Sequence, residues 1–217
     1  MVLISELDNI IRRRIPQTKS GTIDYIVRKN IEYNIQYLEF LATYIFEKEL
    51  NTVVRKLIAK NFLVTVFSII EGVLTYELQA NDLIGKEEWE EVASIKSNPK
   101  EMLGFSLKTE TLIYKKIDRP VKYKSLSFKQ KLDVAQNHKI FGRKPEVYKE
   151  LCRINKLRNT IHLHTMDKVQ ATDYNRFNCI EFENIKAVFL GFLRFYFNVT
   201  ETEIKEYFNF LRPISYN

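Results

Sequence analysis

The sequence has few cysteines, histidines, prolines and glycines, and each shortage excludes a class of protein. Its 217 residues include two Cys, three His, five Pro and six Gly. Cys152 and Cys179 cannot build a disulfide framework and are typical of free thiols in a reducing cytoplasm. With so few thiols and imidazoles we expect no structural zinc, and we predict neither a metal nor a cofactor. The low Gly and Pro content argues against a loop-rich all-β protein.

Apolar runs of membrane-spanning length are also lacking. The two longest apolar stretches, 62–74 and 187–199, are interrupted by Glu71 and Arg194 and are too short to cross a bilayer. Acidic residues precede any long apolar run at the N-terminus, which argues against a secretory signal. We therefore expect a soluble, cytoplasmic protein without a membrane partner.

Apolar residues at helical spacing dominate the rest of the chain. Capping residues and apolar periodicity predict helices over about 22–49, 52–83, 127–137, from 146 onwards, 184–199 and 200–211. Residues 85–124 are the least periodic, and we expect an irregular insertion there, with a short helix at 87–92 and a short strand at 111–114. The fold class predicted is all-α, in one domain over residues 1–217.

Positive charge is concentrated in one segment. The net charge is +7, but residues 119–158 contain twelve Lys or Arg against three Asp or Glu, a net charge of +9. Such a segment attracts polyanions and makes their binding depend on salt, so a polyanion is the expected partner. The alternative is a solvated basic face with no partner. The residues that we expect to contact the polyanion are Lys129, Lys131, Arg143, Lys144, Arg153 and Lys156.

Arg158 lies on a helix face that is otherwise mostly apolar. Residues 147, 151, 154, 158, 161 and 165 follow alternating steps of four and three, the spacing of one helix face. A guanidinium on a packed face stays charged and needs a carboxylate, a phosphate or water. A structural ion pair with a core Glu is one interpretation. Because His162 and His164 follow within six residues, a catalytic site is the other.

These residues resemble the signature of HEPN domains, which are helical modules often found in prokaryotic toxins and antiviral RNases. The family pattern is Arg, four to six residues, then His, and here Arg158, Asn159 and His164 match it with a five-residue spacer. Segments 66–74 and 126–132 are similar to an acid-bearing early helix and a short upstream helix of a HEPN subgroup. The likeness covers about 53–212, after an N-terminal helical extension over 1–50.

The resemblance implies a HEPN-like bundle of long antiparallel helices with an irregular insertion before the motif helix. It also implies a metal-independent endoribonuclease in toxin, abortive-infection or phage-defence biology, working as a homodimer with a possible antitoxin or defence-system partner. Arg158, Asn159 and His164 would be catalytic, with His162 as the second choice for the histidine. The polyanion that the basic residues contact would then be RNA.

The sequence alone leaves several residue assignments open. His162 lies four residues after Arg158 and shares its face if the helix is regular, whereas His164 lies about 120° away. Glu71 is expected either to fix the Arg158 guanidinium, or to bond a tyrosine or cap the region of Gly72. Tyr33, Tyr37 and Tyr44 follow helical spacing and are expected to be packing residues rather than to stack on bases.

The main functional alternative is a non-catalytic HEPN module that binds RNA or a nucleotide, or that serves as a dimerising partner of another defence component. A helical DNA-binding protein is less favoured, because no recognition-helix signature is present.

Overall fold

The computed structural model describes residues 2–16, 21–47, 49–117, 122–142, 145–161 and 177–213. Of these described residues, 62% are helical and 13% are in strands. The helices are α1 (Ile4–Ile11), α2 (Ile23–Glu47), α3 (Thr52–Ala80), α4 (Phe128–Asn137), α5 (Pro145–Asn159), α6 (Cys179–Tyr196) and α7 (Glu201–Tyr207), followed by a 3-10 turn at Asn209–Leu211. The strands are β1 (Lys86–Glu87), β2 (Trp89–Lys96), β3 (Lys100–Met102), β4 (Phe105–Leu107), β5 (Glu110–Lys116) and β6 (Lys122–Tyr123).

The prediction of an all-α fold is wrong, because the segment expected to be irregular forms antiparallel strands. β1 pairs with β6, β2 with β5 and β3 with β4, so the three pairs are nested in one long hairpin. The short helix expected at 87–92 is strand instead, whereas the strand expected at 111–114 is confirmed within β5. The protein is therefore mixed α and β.

The chain divides by its contacts into two compact units, although the sequence predicts one domain. A helical unit comprises residues 1–78 and 127–217, and a β unit comprises residues 79–126. The hairpin turn of the β unit places Leu103 and Gly104 at φ of 56° and 77°. Two successive positive φ values are those of a tight hairpin turn, and a leucine is strained there.

Two long helices form the centre of the helical unit. α3 buries apolar residues around most of its circumference, and α2 buries one face that includes Ile31, Ile35 and Leu38. The first half of α2 and the second half of α3 line one small cavity, with residues 27–34 opposite residues 68–72. Because the first half of one helix faces the second half of the other, the two helices run antiparallel.

α3 is the one described helix that is long and apolar enough to cross a membrane. It is longer than the apolar stretch at 62–74 suggests, because its helical residues begin at Thr52. However, 61% of its most apolar window is buried inside the protein. This burial is compatible with a soluble protein.

Capping residues fix the starts of the shorter helices, as the sequence predicts. Ser127 and Gln130 form a reciprocal capping box at α4, and Thr200 and Glu203 form another at α7. Asn178 accepts a hydrogen bond from the Glu181 amide and so begins α6 five residues before the expected start.

A buried ionic cluster joins α1 to α2. The Arg28 guanidinium is buried, and its Nε lies 2.6 Å from Asp8 Oδ1 and 3.8 Å from Glu32 Oε1. Lys29 Nζ adds a 2.7 Å contact with Glu32 Oε2. Because charges removed from water need partners, this cluster fixes the N-terminal helix on α2.

Candidate active site

Arg158 lies at the C-terminal end of α5, on the face that the sequence predicts. Leu151 and Ile154 on this face are buried, and Arg158 is half-buried. Its guanidinium carbon lies 5.2 Å from the centre of the Phe67 ring of α3, which is the geometry of a cation–π contact. Its Nη1 donates a 3.3 Å hydrogen bond to Asn159 Oδ1. Asn159 therefore helps to orient the guanidinium.

The ring beneath Arg158 is held where α3, α4 and α5 meet. The ring centres of Phe67 and Phe128, the first residue of α4, are 4.5 Å apart. Both phenylalanines are buried, so the guanidinium rests on a rigid apolar floor. Such a floor limits the positions that the charged group can take.

Glu71 bonds a residue other than Arg158. It lies one turn after Phe67 on α3, and its Oε1 is 2.9 Å from Lys131 Nζ of α4. Within the described part of the chain, its carboxylate makes no ion pair with Arg158. The hypothesis that Glu71 fixes the guanidinium is therefore wrong, since a lysine from another helix neutralises the carboxylate.

No carboxylate among the residues that the structure describes pairs with Arg158, so its charge is not neutralised there. Arg153, five positions earlier, differs in this respect. Its Nε lies 2.9 Å from Glu150 Oε2, and its Nη1 lies 2.6 Å from Glu181 Oε1 of α6. Burial opposes the charged form of Arg153, but its hydrogen bonds with Glu181 and Glu150 outweigh burial and raise its pKa.

The helix ends before it reaches either candidate histidine. α5 stops at Asn159, and the amides of Thr160 and Ile161 bond to carbonyls three residues back, as in a tight turn. His162 and His164 lie outside the described residues. Because the helix is not regular up to position 162, its periodicity no longer supports placing His162 on the face of Arg158.

The basic residues expected to contact RNA divide into three groups. Lys131 and Arg153 are paired with carboxylates and so are less available for phosphate. Lys129 and Lys156 are exposed. Arg143 and Lys144 lie outside the described residues.

His138 is the C-cap of α4 and is exposed. A histidine at this position lies next to the negative end of the helix dipole. Both cysteines are free thiols, with Cys152 half-buried and Cys179 exposed. Among the described residues there is no cluster of three or more His, Cys, Asp or Glu that would hold a metal ion.

The sequence gives no sign of a broad groove that the described residues of the helical unit form. It has a volume of about 850 Å³ and lies between α5 and α6, with Val147, Leu151, Val188 and Phe195 among its apolar lining and Arg14 among its polar lining. Glu150, which pairs with Arg153, also lines it. Arg158 is not among the residues that line this groove.

Comparison with protein-family models, with curated proteins and with solved structures finds no match to this chain.

Proposed function

We propose that this protein is a metal-independent endoribonuclease of the HEPN type, acting in the cytoplasm in toxin, abortive-infection or phage-defence biology. The observation that carries the proposal is the state of Arg158. The residue is half-buried, its guanidinium lies over the Phe67 ring, it pairs with no carboxylate of the described residues, and two histidines follow it closely in sequence. A structural arginine would be expected to have a carboxylate partner, as Arg153 does.

The chemistry that fits this arrangement is intramolecular cleavage of RNA. The 2′-oxygen of a nucleotide attacks the adjacent phosphorus, the bond to the 5′-oxygen of the next nucleotide breaks, the 2′-proton passes to a base, and the leaving 5′-oxygen takes a proton from an acid or from water. The products are a 2′,3′-cyclic phosphate and a 5′-hydroxyl. Histidine suits the proton transfer near neutral pH, and a planar guanidinium donates two hydrogen bonds to the increasingly charged phosphate oxygens.

Each residue has a role in this proposal. Arg158 binds the phosphate, Asn159 orients the guanidinium through its 3.3 Å hydrogen bond, and His164 moves the proton, with His162 as the second choice. Exposed Lys129 and Lys156 attract the RNA backbone. Glu71 acts only through Lys131 and has no direct part in the reaction.

A homodimer completes the site in this proposal, because each copy has one Arg158 and the resemblance implies two facing sets. An antitoxin or other defence component is a further possible partner.

The test is incubation of the purified full chain with total RNA in excess EDTA. Wild type should cleave the RNA, and Arg158→Ala and one of the two variants His162→Ala and His164→Ala should not. Arg153→Lys is the matched control, since it alters a basic residue of the same helix that is already paired. Tight binding of RNA that stays intact would overturn the proposed RNase activity and favour a non-catalytic module that binds RNA.

A further inference from the structure

The helix α2 has two stripes of large side chains, and one of them is exposed. One stripe faces the core and includes Ile31, Ile35, Leu38, Ala42 and Ile45. The second stripe, which we call the α2 seam, consists of Ile26, Asn30, Tyr33, Tyr37, Phe40 and Tyr44. All six residues of the seam are exposed, with Tyr33 at 60% and Phe40 at 48%. Tyr33, Tyr37 and Tyr44, which the sequence predicts to be packing residues, are therefore exposed, and Tyr37 and Tyr44 pack only along the helix surface against Phe40.

The spacing of the seam is that of a coiled coil. Its residues follow steps of four, three, four, three and four, so they stay on one side of the helix for about 27 Å at 1.5 Å per residue. No charged residue interrupts it. A surface helix normally presents charged residues on the side away from the core, so an uncharged aromatic stripe indicates a partner.

The aromatic part of the seam is already ordered as a continuous ridge. The ring centres of Tyr37 and Phe40 are 6.3 Å apart, and those of Phe40 and Tyr44 are 5.7 Å apart, with nearly parallel planes. Stacked rings lose little conformational freedom when a partner covers them. Preorganisation of this kind favours association.

We infer that the α2 seam is a self-association surface that docks against α2 of a second copy of this chain. A coiled-coil seam needs a partner helix with the same period, and a twofold dimer brings the same patch from both copies. An uncharged seam meets its own copy without repulsion. Asn30, as a single polar residue among the apolar positions, would then set the register of the two helices.

The exposed area is that of a weak interface. The four rings of the seam expose on the order of 400 Å² per copy, since a full aromatic side chain covers about 150 to 250 Å². A dimer that covers both seams would bury roughly 800 Å² in total, the size of a transient interface, so we expect a micromolar dissociation constant.

This inference does not rest on the proposed function, because the seam lies outside the region that resembles HEPN domains.

The test is sedimentation equilibrium of the full chain from about 1 to about 100 µM. Wild type should be a dimer at the upper end, and the double variant Tyr37→Glu with Phe40→Glu should be a monomer throughout. Ile180→Glu is the matched control, because Ile180 is 74% exposed on another helix; it should dimerise like wild type.

A cross-linking experiment tests the contact between the two seams without introducing charged residues. In a background of Cys152→Ser and Cys179→Ser, Phe40→Cys should give a covalent dimer with a short bis-maleimide, and Ile180→Cys should not. A wild-type monomer at every concentration would overturn the inference. So would a dimer that persists in the double Glu variant, which would place the contact elsewhere and leave the proposed RNase dimer standing.

Discussion

Replacement of Arg158 by methionine should abolish RNA cleavage while changing stability little. The side chain contributes a cation–π contact with Phe67 of about 0.5 to 1 kcal/mol and a small favourable interaction with the end of the α5 dipole. Methionine keeps contact with the ring through its stem and sulfur, which offsets part of this loss. We therefore expect a loss of about 0.5 kcal/mol in the free energy of unfolding.

The same substitution at Arg153 should have the opposite profile. Arg153→Met leaves Glu181, whose side chain is only 20% exposed, without its cation. Charged hydrogen bonds of this kind contribute about 1.5 to 3 kcal/mol, and partial exposure reduces the value, so we expect a loss of about 1 to 2 kcal/mol. Its effect on RNA cleavage should be small.

The assay is urea unfolding of both variants, followed by circular dichroism, together with initial rates of RNA cleavage. Arg158→Met should lower the cleavage rate by about a hundredfold or more, as expected for loss of a group that stabilises charge in the transition state. A stability loss at Arg158 larger than that at Arg153 would refute this reasoning, because it would assign Arg158 a structural role. Equal cleavage rates for the two variants would refute it as well.

Three further predictions concern the framework of the protein. Arg28→Met should lower the free energy of unfolding by about 3 kcal/mol, because two buried carboxylates lose their shared cation, whereas Arg12→Ala at the exposed edge should cost well under 1 kcal/mol in urea titrations. Glu203→Gln should cost about 0.5 to 1 kcal/mol at pH 7, because the hydrogen bond from Arg13 holds the pKa of the Glu203 carboxyl below its ordinary 4.5. Leu103→Asn should slow amide exchange in β3 and β4 about fivefold, because asparagine tolerates the positive φ of this turn.

The sign of the pH effect follows from the direction of the pKa shift. A carboxyl with a lowered pKa in the folded state stabilises the protein above the unfolded pKa, and this contribution is lost as pH falls through the folded pKa. The difference between wild type and Glu203→Gln should thus be constant above pH 5.5 or so and shrink below about pH 4.5. A difference in the free energy of unfolding between the two proteins that grows as the pH falls would contradict this prediction.

The predictions for Arg28 and Leu103 can be contradicted by single measurements. Equal unfolding free energies for the Arg28 and Arg12 variants would show that the cluster does not hold α1 on α2. Faster exchange in Leu103→Asn would mean that the leucine side chain itself stabilises the turn.

The helices could be predicted from the sequence because their signals are local. Thr52, Ser127 and Thr200 lie where the expected helices begin, since caps and apolar periodicity act within one or two turns. The face of α5 that includes Leu151 and Arg158 is correct for the same reason.

Apart from the strand at 111–114, the β unit could not be predicted, because its strands are paired across long sequence separations and exposed on both faces. The pairing runs from Trp89 with Lys116 to Lys96 with Glu110. Because both strands are exposed along their whole length, neither alternates apolar and polar residues as a half-buried strand does. The pattern of charged residues at 87–91 with apolar neighbours is also typical of a short helix, which is why a helix was expected there.

Periodicity also cannot say which face of a helix is buried or which partner a charge meets. α2 has two apolar stripes, and only the three-dimensional packing leaves Tyr37 exposed and Leu38 buried. Glu71 was assigned to the correct helix face, but Lys131 from α4 reaches it. Both outcomes depend on contacts between helices distant in sequence.

The most direct test of the central claim is the chemistry of the RNA ends produced in EDTA. A synthetic RNA that wild type cleaves should yield a 2′,3′-cyclic phosphate and a 5′-hydroxyl, and a 2′-deoxy substitution at the cleaved nucleotide should prevent cleavage there. Arg158→Ala should yield neither end. Intact RNA with wild type, cleavage that survives the 2′-deoxy substitution, or equal cleavage by Arg158→Ala would contradict the account.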